Sequence, residues 1–171
     1  ARTLQHKPGL EVNILNAMCR FLLDEGLAKT EGLQGVEDLK TALADYSLEA
    51  VATATGVDAA AIQKTATELA TVENAAILLA YGLPYTANSR ELGLAVANLA
   101  LLTGIAGRPG SGLYLCGEKS NSQGAIDLQI LPAAGDLGVA GMLKSAGEGK
   151  LKALYVTGED MLASYPDKAL V

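Results

Sequence analysis

Two short phrases concentrate the residue types that do chemistry. Gly107-Arg-Pro-Gly-Ser-Gly112 is dense in glycine. Free backbone N–H groups in such a loop can cradle phosphate, or the loop can be purely structural. It follows a helical pattern rather than a strand, so it is not a dinucleotide fingerprint, and its spacing is wrong for a P-loop. Asn121-Ser-Gln-Gly-Ala-Ile-Asp127 sets amide donors beside a glycine and a carboxylate, either as ligand contacts or as a turn with solvated side chains. Arg90 and Arg108 could meet an anion, although an exposed arginine is the ordinary case. Tyr81 and Tyr85 flank Gly82, where a core reading and a pocket reading both stand. His6 is the single histidine, near one end, with no acid partner evident in the sequence. Neither a Ser-His-Asp nor a Cys-His arrangement can be built from one histidine and no nucleophile elbow. Cys19 and Cys116 are 97 positions apart with no C-x-x-C, which argues against a zinc site or iron–sulfur cluster made by this chain alone. They read as reduced, buried thiols of a cytosolic protein, with a single disulfide as the alternative.

These residues need elements to hold them. Leu10, Ile14, Leu15, Met18 and Leu22 recur at helical spacing and Gly26 closes the run, which predicts a helix over residues 10–24. Val36, Leu39 and Leu43 predict a second, short helix. Ser47 is a good N-cap for a third, ended by Gly56. Asp58 caps a fourth, with Ile62, Ala66, Leu69 and Ala70 inward. The first third is therefore helical. Residues 75–81 (Ala-Ala-Ile-Leu-Leu-Ala-Tyr) form a continuous apolar run, as in a strand covered on both faces of a parallel sheet. Ser89 then caps a helix carrying Leu92, Val96, Leu99 and Leu102, ended by Gly104. Strand, glycine-containing loop and capped helix make the first half of a βαβ unit. Residues 104–132 read as a long irregular loop, functional or packed on a neighbour. Asp136 starts a helix with Val139, Met142, Leu143 and Ala146 inward. Residues 151–156 (Leu-Lys-Ala-Leu-Tyr-Val) predict a second strand, ended by Thr157 and Gly158, with Glu159 and Asp160 where the next helix begins. Ligands of open α/β sheets sit beyond the carboxyl ends of strands, here at Gly82 and Gly158.

The 171 residues fit one domain, 1–171, or a domain and a fragment. Half are hydrophobic and 19% charged, which is core-forming rather than disordered composition. The net charge of −6 and pI near 4.8 argue against nucleic acid or an anionic membrane as partner. Apolar stretches such as residues 75–79 and 99–102 are far too short to span a bilayer, so no direct membrane insertion is expected. No signal peptide opens the chain. It starts at Ala1 without an initiating Met and stops just after a helix-like start, as a piece of a longer polypeptide would.

The segment Leu102-Thr-Gly-Ile-Ala-Gly-Arg-Pro-Gly-Ser-Gly112 followed by Asn121-Ser-Gln-Gly-Ala-Ile-Asp-Leu-Gln-Ile-Leu-Pro132 resembles a signature of the molybdopterin oxidoreductase superfamily, "LTGN(I/L)G(R/K)PG(T/S)G … NNxQGAxDxGxLP". Formate dehydrogenase alpha subunits and the G-type subunit of NADH–quinone oxidoreductase belong to it. Lys7-Pro-Gly-Leu-Glu-Val-Asn-Ile-Leu-Asn-Ala17 is similar to its "KPGTDxALLNA" phrase. Residues 45–57, 75–82 and 152–160 (Lys-Ala-Leu-Tyr-Val-Thr-Gly-Glu-Asp) resemble further phrases, in family order over nearly the whole chain. The resemblance implies an α/β fold of the formate dehydrogenase and DMSO reductase type. A Rossmann-like parallel sheet would be flanked by helices behind the helical N-terminal third. It implies an oxidoreductase whose molybdopterin guanine dinucleotide holds molybdenum or tungsten in a cleft between α/β domains. Iron–sulfur clusters would lie elsewhere in the parent chain, with none in this fragment. No catalytic residue or metal ligand is assigned here, so the fragment alone is not expected to turn over substrate. The positions carried over as cofactor-facing are Gly82, Leu83 and Tyr85, then Asn121 and Gln123, then Gly158 and Glu159.

The departures point within the family. Tyr85 stands where formate dehydrogenases usually have a Gln, after Pro84, which lacks a backbone donor. Gly117 stands where an Arg is common, and Arg is the natural clamp for phosphate or carboxylate. Glu11 replaces an Asp, and Gln129 a Gly. A scaffold kept while cofactor-facing positions change is most like the G-type subunit of NADH–quinone oxidoreductase, supporting electron transfer from NADH toward quinone beside a vestigial pterin cleft. The alternative is a formate dehydrogenase alpha subunit with a working molybdenum bis-pterin site. A reading of another class is the nucleotide-binding central domain of a thiamine-diphosphate enzyme. The expected partners are the remaining domains of its own subunit and other subunits of a redox complex. The expected location is cytoplasmic, or peripheral on a membrane through that complex.

Overall fold

The computed structural model describes residues 2–80, 88–116, 120–130 and 137–171. They fall into two compact units, Ala1–Glu118 and Lys119–Val171.

In the first unit, α1 (Glu11–Asp24), α2 (Val36–Ala42), α3 (Leu48–Thr55) and α4 (Ala59–Thr71) precede β1 (Ala76–Leu79), α5 (Ser89–Leu102) and β2 (Gly112–Leu115). Helix α1 forms because Ile14, Met18 and Leu22 return to one face every three or four residues. That stripe packs against α5, α4 and α3, joining Ile62 and Ala66 of α4 and Leu99 and Leu102 of α5 in one core. Ile62, Leu22 and Ala66 are wholly buried. Burying a side chain the size of Leu or Ile stabilises the fold by about 1.5–3 kcal/mol. Helix α3 starts and stops as expected: the Ser47 hydroxyl accepts from the Ala50 N–H at 3.2 Å, and Gly56 closes it at φ +80°. Asp58 precedes α4 without a side-chain capping bond. The Arg2 guanidinium forks onto Glu68 of α4 at 2.7 and 3.0 Å and holds that exposed carboxyl below its ordinary range.

Strand β1 pairs in parallel with β2, Ala76 opposite Gly112 and Leu79 opposite Leu115. Parallel neighbours need a crossover, and α5 supplies it. Ile77, Leu79 and Leu113 of this sheet pack with Leu92 and Val96 of α5 and with Val12 and Leu15 of α1. The βαβ reading thus holds, with two differences. The second strand is β2, inside the segment expected to be an irregular loop. Nothing local announces four residues, Gly-Leu-Tyr-Leu, after a glycine-rich turn; they become a strand by meeting β1. The sheet is also not covered on both faces by this unit, because Leu78 and Tyr114 stand 64% and 56% exposed.

The second unit holds α6 (Ser122–Asp127), α7 (Val139–Gly147) and α8 (Met161–Ser164). Leu143 is the inward residue of α7, while Val139 is exposed. Residues 151–156 form no strand, against the sequence expectation. The sheet among the described residues contains β1 and β2 only, and Leu154, Tyr155 and Val156 stay exposed. A mostly apolar run ending in Tyr155 and Val156 supplies propensity, but a strand also needs a partner edge. No helix among the described residues is long and apolar enough to cross a membrane.

Candidate functional site

The loop before α1 folds onto the carboxyl end of β1. His6 Nδ1 lies 2.9 Å from the Lys7 carbonyl. The Gly9 N–H donates to Glu11 Oε1 at 3.3 Å, and the Asn88 amide donates to the Gly9 carbonyl at 3.4 Å. That last bond brings the start of α5 to the same place. The result is a cleft of about 290 Å³ whose lining includes His6, Glu11, Met18, Leu78, Leu79 and Leu92. Its walls are apolar apart from His6 and Glu11. The second carboxylate oxygen, Glu11 Oε2, is buried and has no hydrogen-bond partner among the described residues. An unpaired buried acceptor costs free energy unless a donor meets it, so this oxygen is set for a ligand N–H or O–H. The sequence assigned His6 no acid neighbour; the fold puts His6 and Glu11 in one cleft, five residues apart in the chain. The sequence signal was the acidic residue of the Lys7-Pro-Gly-Leu-Glu phrase.

Leu79, the last residue of β1, lines this cleft. Gly82, Leu83 and Tyr85 follow it in the chain and lie outside the described residues, as does Tyr81. Cys116 follows β2, its N–H donating to the Leu79 carbonyl at 2.8 Å. Its thiol is free and exposed, while Cys19 is free and buried. The sequence expectation of two buried thiols is corrected at Cys116, because β2 runs out into exposed residues, Tyr114 and Leu115 before it. Burial pushes the Cys19 thiol up to about 12, so it stays protonated and inert.

Arg108 is not a free anion ligand. Its guanidinium donates to the carbonyls of Val72 and Thr103 at 3.1 Å each, and to that of Glu73. It ties the lead-in to β1 to the end of α5. The glycine phrase around it is therefore a structural corner here, with Gly107 and Gly110 at φ +81° and +79°.

In the second unit, Asn121 and Gln123 come together on α6. Asn121 opens the helix in the left-handed region at φ +62°. Gln123 Nε2 donates to Asp127 Oδ1 at 2.8 Å, one turn on, so its amide is engaged within the helix. The phrase is thus a helix rather than the plain turn its polar residues suggest. Gly158, at φ +69°, makes the bend before α8. Asp160, not Glu159, caps that helix, accepting from the N–H groups of Leu162 and Ala163 at 3.1 and 3.2 Å. Glu159 instead lines an apolar groove of about 320 Å³ with Met142, Leu143, Leu154, Val156 and Met161.

No protein-family model matches the chain. Curated relatives do. The chain is 30% identical over 193 residues to F420-dependent formate dehydrogenase 1 subunit alpha of Methanococcus maripaludis, covering 96% of this chain and 28% of that one. It is 28% identical over 190 residues to NADPH-Fe(3+) oxidoreductase subunit alpha of Geobacter sulfurreducens, covering 96% and 22%. It is 32% identical over 133 residues to formate dehydrogenase H of Escherichia coli, covering 74% and 18%. Among solved structures, acetylene hydratase from Pelobacter acetylenicus superposes with a TM-score of 0.58 at 28% identity, over 61% of this chain and 15% of that one. The chain thus spans about a fifth to a quarter of the curated relatives it matches.

Proposed function

Because the chain belongs to the molybdopterin oxidoreductase family, we propose that it is a segment of an alpha-type oxidoreductase subunit, of the formate dehydrogenase kind, that borders the pterin cleft. The observation that carries this reading is Glu11 Oε2, a buried acceptor without a partner among the described residues, in an apolar cleft at the carboxyl end of β1. The donor set fits the group: amino and ring N–H groups of a pterin or guanine would donate to that oxygen, and the apolar walls would take the flat ring. Gly82, Leu83 and Tyr85, which come after β1 in the chain, are proposed as cofactor-facing positions. Asn121, Gln123, Gly158 and Glu159, in the second unit, are proposed as cofactor-facing positions on the family resemblance alone. When bound, the pterin would hold molybdenum or tungsten and carry the electron transfer. This chain's residues bind, orient and exclude water, and none of them is assigned the chemical step. Iron–sulfur clusters, the other domains of the subunit and partner subunits of a redox complex would complete the electron path.

A second reading is the G-type subunit of an NADH–quinone oxidoreductase with a vestigial cleft. It is favoured by Tyr85 and Gly117, which stand where the family usually has Gln and Arg. Metal and pterin analysis of the protein at its natural length separates the two. Stoichiometric molybdenum or tungsten with pterin supports the first reading, and absence of both supports the second. Binding of free nucleotide or flavin without pterin would overturn both.

A further inference from the structure

We propose that His6 is a specificity-determining residue of the cleft at the carboxyl end of β1: its Nε2 is a second acceptor beside Glu11 Oε2, and the pair selects a flat ring that carries two N–H donors. The inference rests on the reading of that cleft as a cofactor site. The imidazole is directed by its own chain. Its Nδ1 lies 2.9 Å from the Lys7 carbonyl. A carbonyl only accepts, so Nδ1 holds the ring proton, and in the neutral imidazole Nε2 is then a bare acceptor. Nε2 makes no hydrogen bond to a described residue. The segment that carries the ring is itself tied down. The Lys7 N–H donates to the Thr55 carbonyl at 3.1 Å, and its Nζ to the Ala54 carbonyl at 3.2 Å, both at the end of α3.

The cleft supplies the selection. His6 and Glu11 are the polar side chains in a wall otherwise of leucine, isoleucine, valine and methionine, and every lining residue belongs to the first unit. Glu11 Oε1 already accepts from the Gly9 N–H, while Oε2 is buried without a partner among the described residues. Two acceptors in an apolar wall reject a ring edge of bare lone pairs, because each acceptor would stay unpaired, and they take an edge of N–H groups. A volume of about 290 Å³ lies at the lower end for ligand pockets, so the cleft takes one fused ring rather than a whole dinucleotide. Guanine and pterin share an edge with a ring N–H beside an exocyclic amine. Hypoxanthine keeps the ring N–H and lacks the amine.

The test uses the protein at its natural length. His6→Asn keeps a side-chain N–H near the place of Nδ1 and removes Nε2, so the local bond to the Lys7 carbonyl is preserved. Purified with its cofactor and dialysed extensively, His6→Asn should melt as the wild type does and retain roughly 2- to 10-fold less pterin, the range of one lost hydrogen bond. Emptied of cofactor, the wild type is titrated with GMP and with neopterin, and the one that binds more tightly identifies the ring the cleft takes. That ring should be held roughly 2- to 10-fold more tightly than its analogue without the amine, IMP or 4-hydroxypteridine. In His6→Asn the difference should vanish, because amine and Nε2 act through one bond. Undiminished retention in His6→Asn overturns the proposal. So does a preference for the amine that survives the substitution, or a wild type that binds neither ring. Should His6→Asn fail to fold, His6→Phe, which keeps the ring's bulk without its nitrogens, takes its place with the same outcomes. Wild-type protein purified without pterin instead takes down the functional reading beneath it.

Discussion

Arg108 gives the sharpest test of the structural reading, because anion ligand and structural tie predict different losses. Its three acceptors belong to two places, the lead-in to β1 at Val72 and Glu73 and the end of α5 at Thr103. The bonds to Val72 and Glu73 are exposed, so water replaces them on truncation and they contribute little. The bond to the Thr103 carbonyl is partly buried, and that carbonyl is one of those a helix end leaves without an intrahelical partner. A hydrogen bond from a charged donor is worth about 1.5–3 kcal/mol, and partial exposure puts this one near the lower half, about 2 kcal/mol. Arg108→Met keeps the apolar stem and removes only the guanidinium. With a urea dependence of about 2 kcal/mol per molar for a domain of this size, the midpoint should fall by about 1 M, followed by far-ultraviolet circular dichroism. Arg108→Lys should fall by less than Arg108→Met, because an ammonium can still donate to the Thr103 carbonyl while the exposed bonds it loses contribute little. A midpoint within about 0.2 M of wild type for Arg108→Met would refute the reasoning. An unchanged midpoint with lost cofactor would make Arg108 an anion ligand after all.

The remaining expectations are local. Ser47→Ala removes the cap on α3 and should cost about 1 kcal/mol in the same titration. At pH 8, a disulfide reagent should react quickly with one thiol, Cys116, and with Cys19 only after unfolding. Cys19 is raised to about 12 from an unfolded value near 9. Between those values the native state keeps a proton that the unfolded chain has released, so stability falls as pH rises. The slope should approach about 1.4 kcal/mol per pH unit, with no dependence from this group below pH 9, and Cys19→Ala should flatten it.

The helical third was legible because its determinants are local. Ile14, Met18 and Leu22 declare a helix face within a few turns, and Ser47 and Gly56 start and stop α3 by bonds and dihedrals that involve their own neighbours. The β1–α5 unit was legible for the same reason, and so was the family, whose phrases are read as order along the chain. What escaped depends on meetings between distant residues. Strand β2 exists because Gly112 lies opposite Ala76, while residues 151–156, with better strand composition, form no strand. The carbonyls that engage Arg108 lie up to 36 positions away, and the cleft shared by His6, Glu11 and Leu79 joins segments some seventy residues apart. Sequence sets each residue's preference from covalent geometry and immediate neighbours. Which preference is realised, and which polar atom is left without a partner, is decided only when the folded chain brings remote groups within hydrogen-bond reach.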